Sequence, residues 1–225
     1  MSCDSDDSRT RSVAHSPVGH TTAAASVGYQ DACLAGATAA EAQSAWDAGI
    51  PLGSYADARE AGASHDQVLS ADVAGLVIDA YAMAIAAGAS HTEVLEAHRY
   101  DDRTWAYARC RAAGASHKQV IEAVTAASGQ AGSQMHYYYV CLSARLAHDR
   151  FMAAVQRALP MRTFAWLITR SVDCDELLRI SPREWEVLTA FYENWAASPS
   201  ELIATARLLA HGASTAAPRE CSALG

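Results

Sequence analysis

Small and apolar side chains recur through the middle of the chain with a period of 26 residues. Tyrosines stand at positions 29, 55, 81 and 107, and each is followed seven residues later by a glycine. Within one copy, Tyr55, Ala58 and Ala61 fall on one face of a helix. The pattern predicts a tandem array of helical hairpins, a small α-solenoid, over residues 27–127.

A shorter period of 13 residues, which we call the 13-residue beat, lies within the 26-residue repeat and marks the predicted helix ends. Ala-Gly pairs end at six places on this beat: Gly36, Gly49, Gly62, Gly75, Gly88 and Gly114. Asp101 fills the one remaining place. Glycine suits the left-handed residue that closes a helix, and aspartate tolerates that conformation better than most side chains. The beat therefore predicts about eight short helices, with a weak point at the Asp101 turn.

The predicted helix starts carry capping boxes. Ser64, Ser90 and Ser116 are each followed three residues later by Gln or Glu, and Thr38 precedes Glu41 in the same way. In this arrangement the first side chain accepts a backbone N–H and the second reaches back to the cap. Helices of this length are marginal alone in water, so we expect the array to be stabilised by stacking.

The beat is not evident after Ala126, and the glycines and serines of 128–133 are typical of a linker. A helical C-terminal domain is therefore predicted over 134–211. Its expected helices are at 136–159, 162–170, 182–197 and 199–210. The last two begin with Ser-Pro-x-Glu, which combines a cap, a first-turn proline and a capping-box glutamate.

The two ends of the chain lack helical periodicity. Residues 1–26 are rich in Ser, Thr, Asp and Ala and are predicted to be a disordered arm. Residues 212–225 are predicted to be a tail.

Composition supports an all-α class, because alanine dominates an apolar fraction of 51% with only 8% aromatic residues. The net charge is −8, whereas residues 129–225 carry equal numbers of acidic and basic side chains. The array is therefore the acidic part, which disfavours nucleic acid as the partner. The chain has no hydrophobic signal core, no apolar run long enough to span a membrane and six scattered cysteines, so we expect a cytoplasmic protein without membrane contact.

Three histidines, His65, His91 and His117, each follow a capping serine. Stacked helices lie about 8–10 Å apart, whereas zinc ligands lie ~2 Å from the metal. Histidines one repeat apart therefore cannot share a metal ion, and no metal site is predicted.

The residue after each histidine changes its charge from copy to copy while the core positions repeat. This variation predicts that partner specificity lies on the edge or concave face that carries the histidines. The predicted partner-binding residues are His65, Asp66, His91, Thr92, His117 and Lys118.

Two patterns support an alternative function, a DNA-binding regulator that uses helix-turn-helix-like hairpins. Ala58, Gly62 and Val68 have the spacing of that motif, although the same spacing serves simple helix packing. In addition, Ile180–Leu188 resembles the opening of the DNA-binding domain of LuxR-type response regulators, and Glu201–Arg207 resembles its next helix. The resemblance covers about thirty residues and implies a helix-turn-helix there.

The repeat itself, Tyr-x-x-Ala-x-x-Ala-Gly-Ala-Ser-His-x-x-Val-Leu, resembles helical hairpins of uncharacterised proteins from GC-rich Gram-positive bacteria and their phages. This resemblance implies the architecture and assigns no site. We find no phosphate-binding loop, zinc-hydrolase motif or nucleophile elbow, so the sequence predicts no catalytic residue and no cofactor. The predicted function is a non-catalytic helical-repeat scaffold that mediates protein–protein interaction with an unknown protein partner.

Overall fold

The computed structural model describes residues 21–129, 132–194 and 198–212. Within these ranges it has fourteen α-helices, a 3-10 turn at Tyr192–Asn194 and no β-strand. The helices are α1 (Thr21–Leu34), α2 (Ala39–Asp47), α3 (Leu52–Glu60), α4 (His65–Val73), α5 (Ile78–Ala86), α6 (His91–Tyr100), α7 (Thr104–Ala112), α8 (His117–Ala126), α9 (Gln134–Ser143), α10 (His148–Gln156), α11 (Met161–Thr169), α12 (Cys174–Arg179), α13 (Pro182–Phe191) and α14 (Pro199–Gly212). The predicted all-α fold of helices packed in series is confirmed.

The helices stack in two rows. The odd-numbered helices from α1 to α11 form one row in which each packs on the next, and α6, α8, α10 and α12 follow one another in the second. Small side chains permit the close approach in the odd row, where Ala58 and Ala84 are fully buried. At Gly28 on α1, an added Cβ would lie 2.9 Å from Cβ of Leu52. The odd row is therefore the tightly packed side of the stack.

The six turns of the glycine ladder are each closed by the same pair of backbone hydrogen bonds, the Schellman motif. After α1, the N–H of Gly36 donates to Cys33 O and the N–H of Ala37 donates to Ala32 O. The residue at the Gly36 position has a positive φ, and the apolar residue after it is buried. The predicted glycine helix ends are confirmed at all six positions.

The same motif continues beyond the glycine ladder, on residues with side chains. Arg145, Ala158 and Ser171 have φ of 62°, 52° and 61° and lie 13 residues apart. At Ala158 the N–H donates to Val155 O at 2.8 Å, and the N–H of Leu159 donates to Ala154 O at 3.1 Å. The 13-residue beat therefore resumes after 127, with an offset of five residues at the insertion before α9.

The single helix expected over 136–159 is wrong. The chain forms α9 and α10 instead, separated by the turn at Arg145. In this region α9 packs on α7 and α8, and α10 packs on α8, so the core runs through without a break. Whether 27–127 and 134–211 are separate folding units stays a prediction, but α9–α12 occupy the same two rows as the earlier hairpins.

The remaining helix predictions differ from the structure in detail. The expected helices at 162–170 and 199–210 correspond to α11 and α14, whereas α13 ends at Phe191 and a 3-10 turn follows. The helix α1 begins at Thr21, inside the arm expected over 1–26. Residues 1–20 of that arm and 213–225 of the expected tail lie outside the described residues.

Asp101 does not take the left-handed conformation expected at its turn. Its φ is −153° and its ψ is 123°, which is extended backbone. The carboxylate accepts the N–H of Arg103 at 3.0 Å and also accepts the hydroxyl of Ser133. Through its side chain, Asp101 therefore connects the turn after α6 to the starts of α7 and α9.

Two arginines brace alternate turns. Arg59 donates to Gly36 O at 3.1 Å and lies 3.9 Å from the capping-box carboxylate of Glu41. One double repeat later, Arg111 donates to Gly88 O at 3.0 Å and lies 3.6 Å from Glu93. The capping boxes of α4 and α8 carry glutamine instead and have no arginine at the equivalent position. These arginines are thus engaged within the array.

We predict that Ala158→Gly stabilises the protein by about 0.5–1 kcal/mol, because glycine relieves the left-handed strain at an exposed position without removing a packed side chain. Chemical denaturation measures the change. The matched control is Gly62→Ala, where a Cβ meets nothing within 4 Å and the backbone alone is strained. It should destabilise the protein by about 1 kcal/mol. A destabilising Ala158→Gly would contradict the assigned backbone.

Candidate interaction surfaces

The predicted histidines lie at the first position of α4, α6 and α8, where each ring is half-buried. Each Nδ1 is hydrogen-bonded to a tyrosine hydroxyl ten residues earlier. The pairs are Tyr55–His65, Tyr81–His91 and Tyr107–His117, all at 3.0 Å, and Tyr138–His148 at 2.9 Å. The tyrosines are fully buried, so each pair ties the start of an even helix to the core.

The fourth pair was not predicted from the sequence. Tyr138 and His148 have the same ten-residue spacing as the other pairs, but the insertion moves them off the 26-residue register. In the next copy, Phe164 and Cys174 stand at the two positions, so the hydroxyl and the imidazole are both missing. Loss of both partners together leaves no orphaned polar group in the core.

Two of the pairs extend to a carboxylate. His117 Nε2 lies 3.3 Å from Glu96 Oε2, and His148 Nε2 lies 3.5 Å from Glu122 Oε2. A carboxylate only accepts hydrogen bonds, so Nε2 carries the proton and Nδ1 of the neutral ring accepts the tyrosine O–H. The carboxylate therefore sets the tautomer that the tyrosine requires.

This order of hydroxyl, imidazole and carboxylate does not present a nucleophile to solvent. Tyr107 has no exposed surface, and burial raises the pKa of its hydroxyl to about 12. A hydroxyl nucleophile must reach the substrate and transfer its proton to the base. The Tyr107 hydroxyl meets neither condition, so the arrangement orients the ring and fastens two helices.

The variable residues of the predicted edge lie where the sequence pattern placed them. Asp66, Thr92 and Lys118 are exposed at the second position of α4, α6 and α8. Each neighbouring histidine uses Nδ1 internally, and His117 also uses Nε2 to contact Glu96. A role of these six residues in partner binding stays a prediction.

A groove on the odd row was not predicted. Between α1 and α3 lies an open cavity of about 330 Å³, and between α3 and α5 lies one of about 550 Å³. Both are lined at equivalent repeat positions and share Asp57 and Glu60. We call the two cavities the acidic groove; its lining residues are Asp31, Leu34, Ala35, Gly53, Ala56, Asp57, Glu60, Ala61, Asp79, Ala82, Met83 and Ala86.

The acidic groove combines an alanine floor with four carboxylates. Asp31, Asp57, Glu60 and Asp79 are exposed, and none forms an ion pair with another residue in the described ranges. Its apolar side chains include Leu34, 86% exposed, and Met83, 49% exposed. This stretch therefore presents uncompensated negative charge next to solvent-exposed apolar surface.

The same face changes character at the next two interfaces of the odd row. Trp105 takes the repeat position of Asp79, and Arg109 takes that of Asp57 and Met83. The guanidinium of Arg109 lies 5.0 Å from the ring centre of Trp105 and 5.4 Å from that of Tyr139. These contacts hold the arginine by cation–π attraction. The face thus runs from an acidic half to an aromatic half that carries a cation.

The segment resembling the LuxR-type domain forms α13 and α14, which pack on each other. Its predicted capping boxes are present, with Ser181 bonded to Glu184 and Ser198 bonded to Glu201. Arg207 on α14 lies 3.1 Å from Glu176 and 3.8 Å from Glu184. This arginine is already paired within the chain.

Across the described part of the chain, no group of three or more His, Cys, Asp or Glu side chains is arranged to hold a metal ion. None of the described helices is long and apolar enough to cross a bilayer. Comparison with protein-family models, curated proteins and solved structures found no match.

The sequence carries one signal of the groove. Asp31 and Asp57 occupy the same place in consecutive copies, on the face of the odd helix opposite its buried alanines. Aligning the copies column by column reveals this acidic pair. Only the packing of α1, α3 and α5 shows that Glu60 and Asp79 line the same groove.

We predict that Tyr107→Phe destabilises the protein by about 1–2 kcal/mol, since it removes the hydroxyl that bonds the half-buried Nδ1 of His117. Adding His117→Ala should cost less than the sum of the single changes, with a coupling of about 1 kcal/mol in a double-mutant cycle. Tyr29→Phe is the control, because that hydroxyl makes only a 3.4 Å contact with Ala39 O. Equal effects of the two Phe variants would show that the pair is not structural.

The free energy of unfolding should fall as the pH decreases from about 7 to 5.5. Burial lowers the pKa of His91 below its usual 6.5, so the unfolded chain binds the proton more readily than the folded one. The contribution of the neutral His91 ring to the free energy of unfolding is therefore complete above pH 6.5 and decreases as the pH falls through that value.

His91→Asn keeps an acceptor near Nδ1 and removes the titration, so it should flatten this fall. His136, whose pKa burial also lowers, continues to contribute in the variant. Denaturation curves across the pH range provide the measurement. An identical slope in the two proteins would rule out His91 as a source of the effect.

Proposed function

We propose that this chain is a non-catalytic helical-repeat scaffold that binds a segment of a partner protein in the acidic groove. The observation that carries the proposal is the repetition of the groove. Two neighbouring interfaces of the odd row form cavities at equivalent repeat positions, and each cavity is lined by three carboxylates, so a single partner segment would meet negative charge in both. Stacked repeats commonly offer extended surfaces of this kind.

The charge of the groove supports a cationic partner. The four carboxylates have no ion-pair partner in the described ranges, and Arg59, the arginine nearest to them in sequence, is held at a turn. A lysine or arginine can lay its alkyl stem on the alanine floor and bring its charge to the carboxylates. Such a contact gives the carboxylates a charge partner that the described residues do not supply, and charge complementarity favours specificity and fast association.

Apolar contact would supply the second part of the affinity. Leu34 and Met83 line the two cavities and remain exposed. Methionine is flexible and polarisable, which suits a surface that closes over a partner side chain. The groove thus supports recognition of a mixed basic and apolar segment.

The test is selection of peptides from a phage-displayed random library on the full chain, followed by affinity measurement on variants. We expect enrichment of Lys or Arg, and loss of binding in Asp57→Arg/Glu60→Arg, which reverses the wall shared by both cavities. The control Asp66→Arg/Asp102→Arg makes the same change of charge outside the groove and should keep binding. Both surface variants should unfold within about 0.5 kcal/mol of the parent.

Three results would contradict the proposal. Binding that survives in the groove variant but is lost in Asp66→Ala/Thr92→Ala/Lys118→Ala would assign the partner to the predicted edge. Selection of peptides without basic residues would remove the role of the carboxylates. A salt-dependent shift of duplex DNA at physiological ionic strength, with no peptide selected, would favour the alternative DNA-binding function.

A further inference from the structure

We infer that the groove takes an extended, polyproline-like segment with Lys or Arg at positions i and i+3, a conclusion that rests on the proposed function. The two cavities are one layer of the odd row apart, and neighbouring helices lie about 8–10 Å apart. Each cavity is lined by three carboxylates, two of which are shared, so both favour a cationic side chain. The partner must therefore repeat a cationic residue at the spacing of the helices.

The spacing selects a backbone conformation. A polyproline helix rises 3.1 Å per residue with three residues per turn, so i and i+3 lie on one side, about 9 Å apart. In a β-strand, residues on one face recur at i+2 or i+4, about 7 or 13 Å apart. Neither strand spacing matches one layer of the odd row. An α-helix would need i and i+7 to cover about 10 Å.

The wall between the cavities favours the extended form over the helix. Asp57 and Glu60 line both cavities, so their carboxylates lie below the part of the partner that joins its two basic residues. Carboxylates accept backbone N–H groups, and an extended segment has these groups free. A helix uses its N–H groups internally and could offer only side chains to this wall.

The next interface limits the cationic run to two residues. Arg109 stands there, held against Trp105 and Tyr139, at the repeat position that Asp57 has in the groove. A third basic residue at i+6 would approach this guanidinium and be repelled. An acidic or aromatic residue would be attracted to the arginine or would stack on the rings. The change of charge along the face therefore sets the direction of the partner.

The experiment measures binding of fluorescent peptides of equal length and net charge to the full chain by anisotropy. One peptide contains Arg-Pro-Ala-Arg. Two others place the two arginines at i and i+1 or at i and i+5. The last places them at i and i+7 in an alanine-rich helical background. The i, i+3 peptide should bind about fivefold more tightly than the others, as expected when both ion pairs form together. A third arginine at i+6 should weaken binding, and Arg109→Ala should remove that penalty.

A variant distinguishes the preference for the i, i+3 spacing from general electrostatic attraction between the peptide and the chain. In Asp57→Asn/Glu60→Gln the preference for i, i+3 should disappear, whereas Asp66→Asn/Asp102→Asn should retain it. Equal affinity for all spacings, or tighter binding of the helical i, i+7 peptide, would overturn the inferred register while leaving basic-segment binding in place. Failure of every basic peptide to bind would overturn the proposed function as well.

Discussion

A left-handed residue closes a helix every 13 residues along most of the stack, and the other features of the molecule depend on that closure. The two Schellman hydrogen bonds reverse the chain and bury the apolar residue that follows, so consecutive helices return alongside each other. Helices of nine or ten residues are not stable alone in water. They persist here because each reversal places a short helix between neighbours, and alanine allows the odd row to pack closely.

The histidines belong to this packing. Each sits at the start of an even helix, where protonation opposes the helix dipole, and accepts a hydroxyl from a buried tyrosine. Where the tyrosine becomes Phe164, the histidine becomes Cys174, as expected if the two side chains serve each other. A regular ladder of ionisable residues is thereby explained by helix fastening, and its outer edge retains Asp66, Thr92 and Lys118 as the variable surface.

Residues on the outer face of the odd row, unlike the histidines, take no part in the packing. There the positions are free of the core, and they differ between copies: carboxylates in the first two, methionine in the third, an arginine held between aromatic rings in the fourth. A repeat architecture permits this variation because outward positions do not affect stacking. The result is a surface with a direction, acidic at one end and cationic at the other, on a scaffold whose spacing is set by helix packing.

The sequence by itself determined the helix class, the 13-residue beat, the capping boxes and the position of the variable edge, because each depends on local chemistry repeated many times. It did not reveal that the beat continues through Arg145, Ala158 and Ser171, since a left-handed residue with a side chain has no distinctive sequence signature. The turn at Asp101 differs from the expectation for another reason: its backbone is extended, and its side chain bonds Ser133, 32 residues away. Only tertiary structure joined Asp31, Asp57, Glu60 and Asp79 into one groove, because a cavity between stacked helices depends on their separation, which no local pattern encodes.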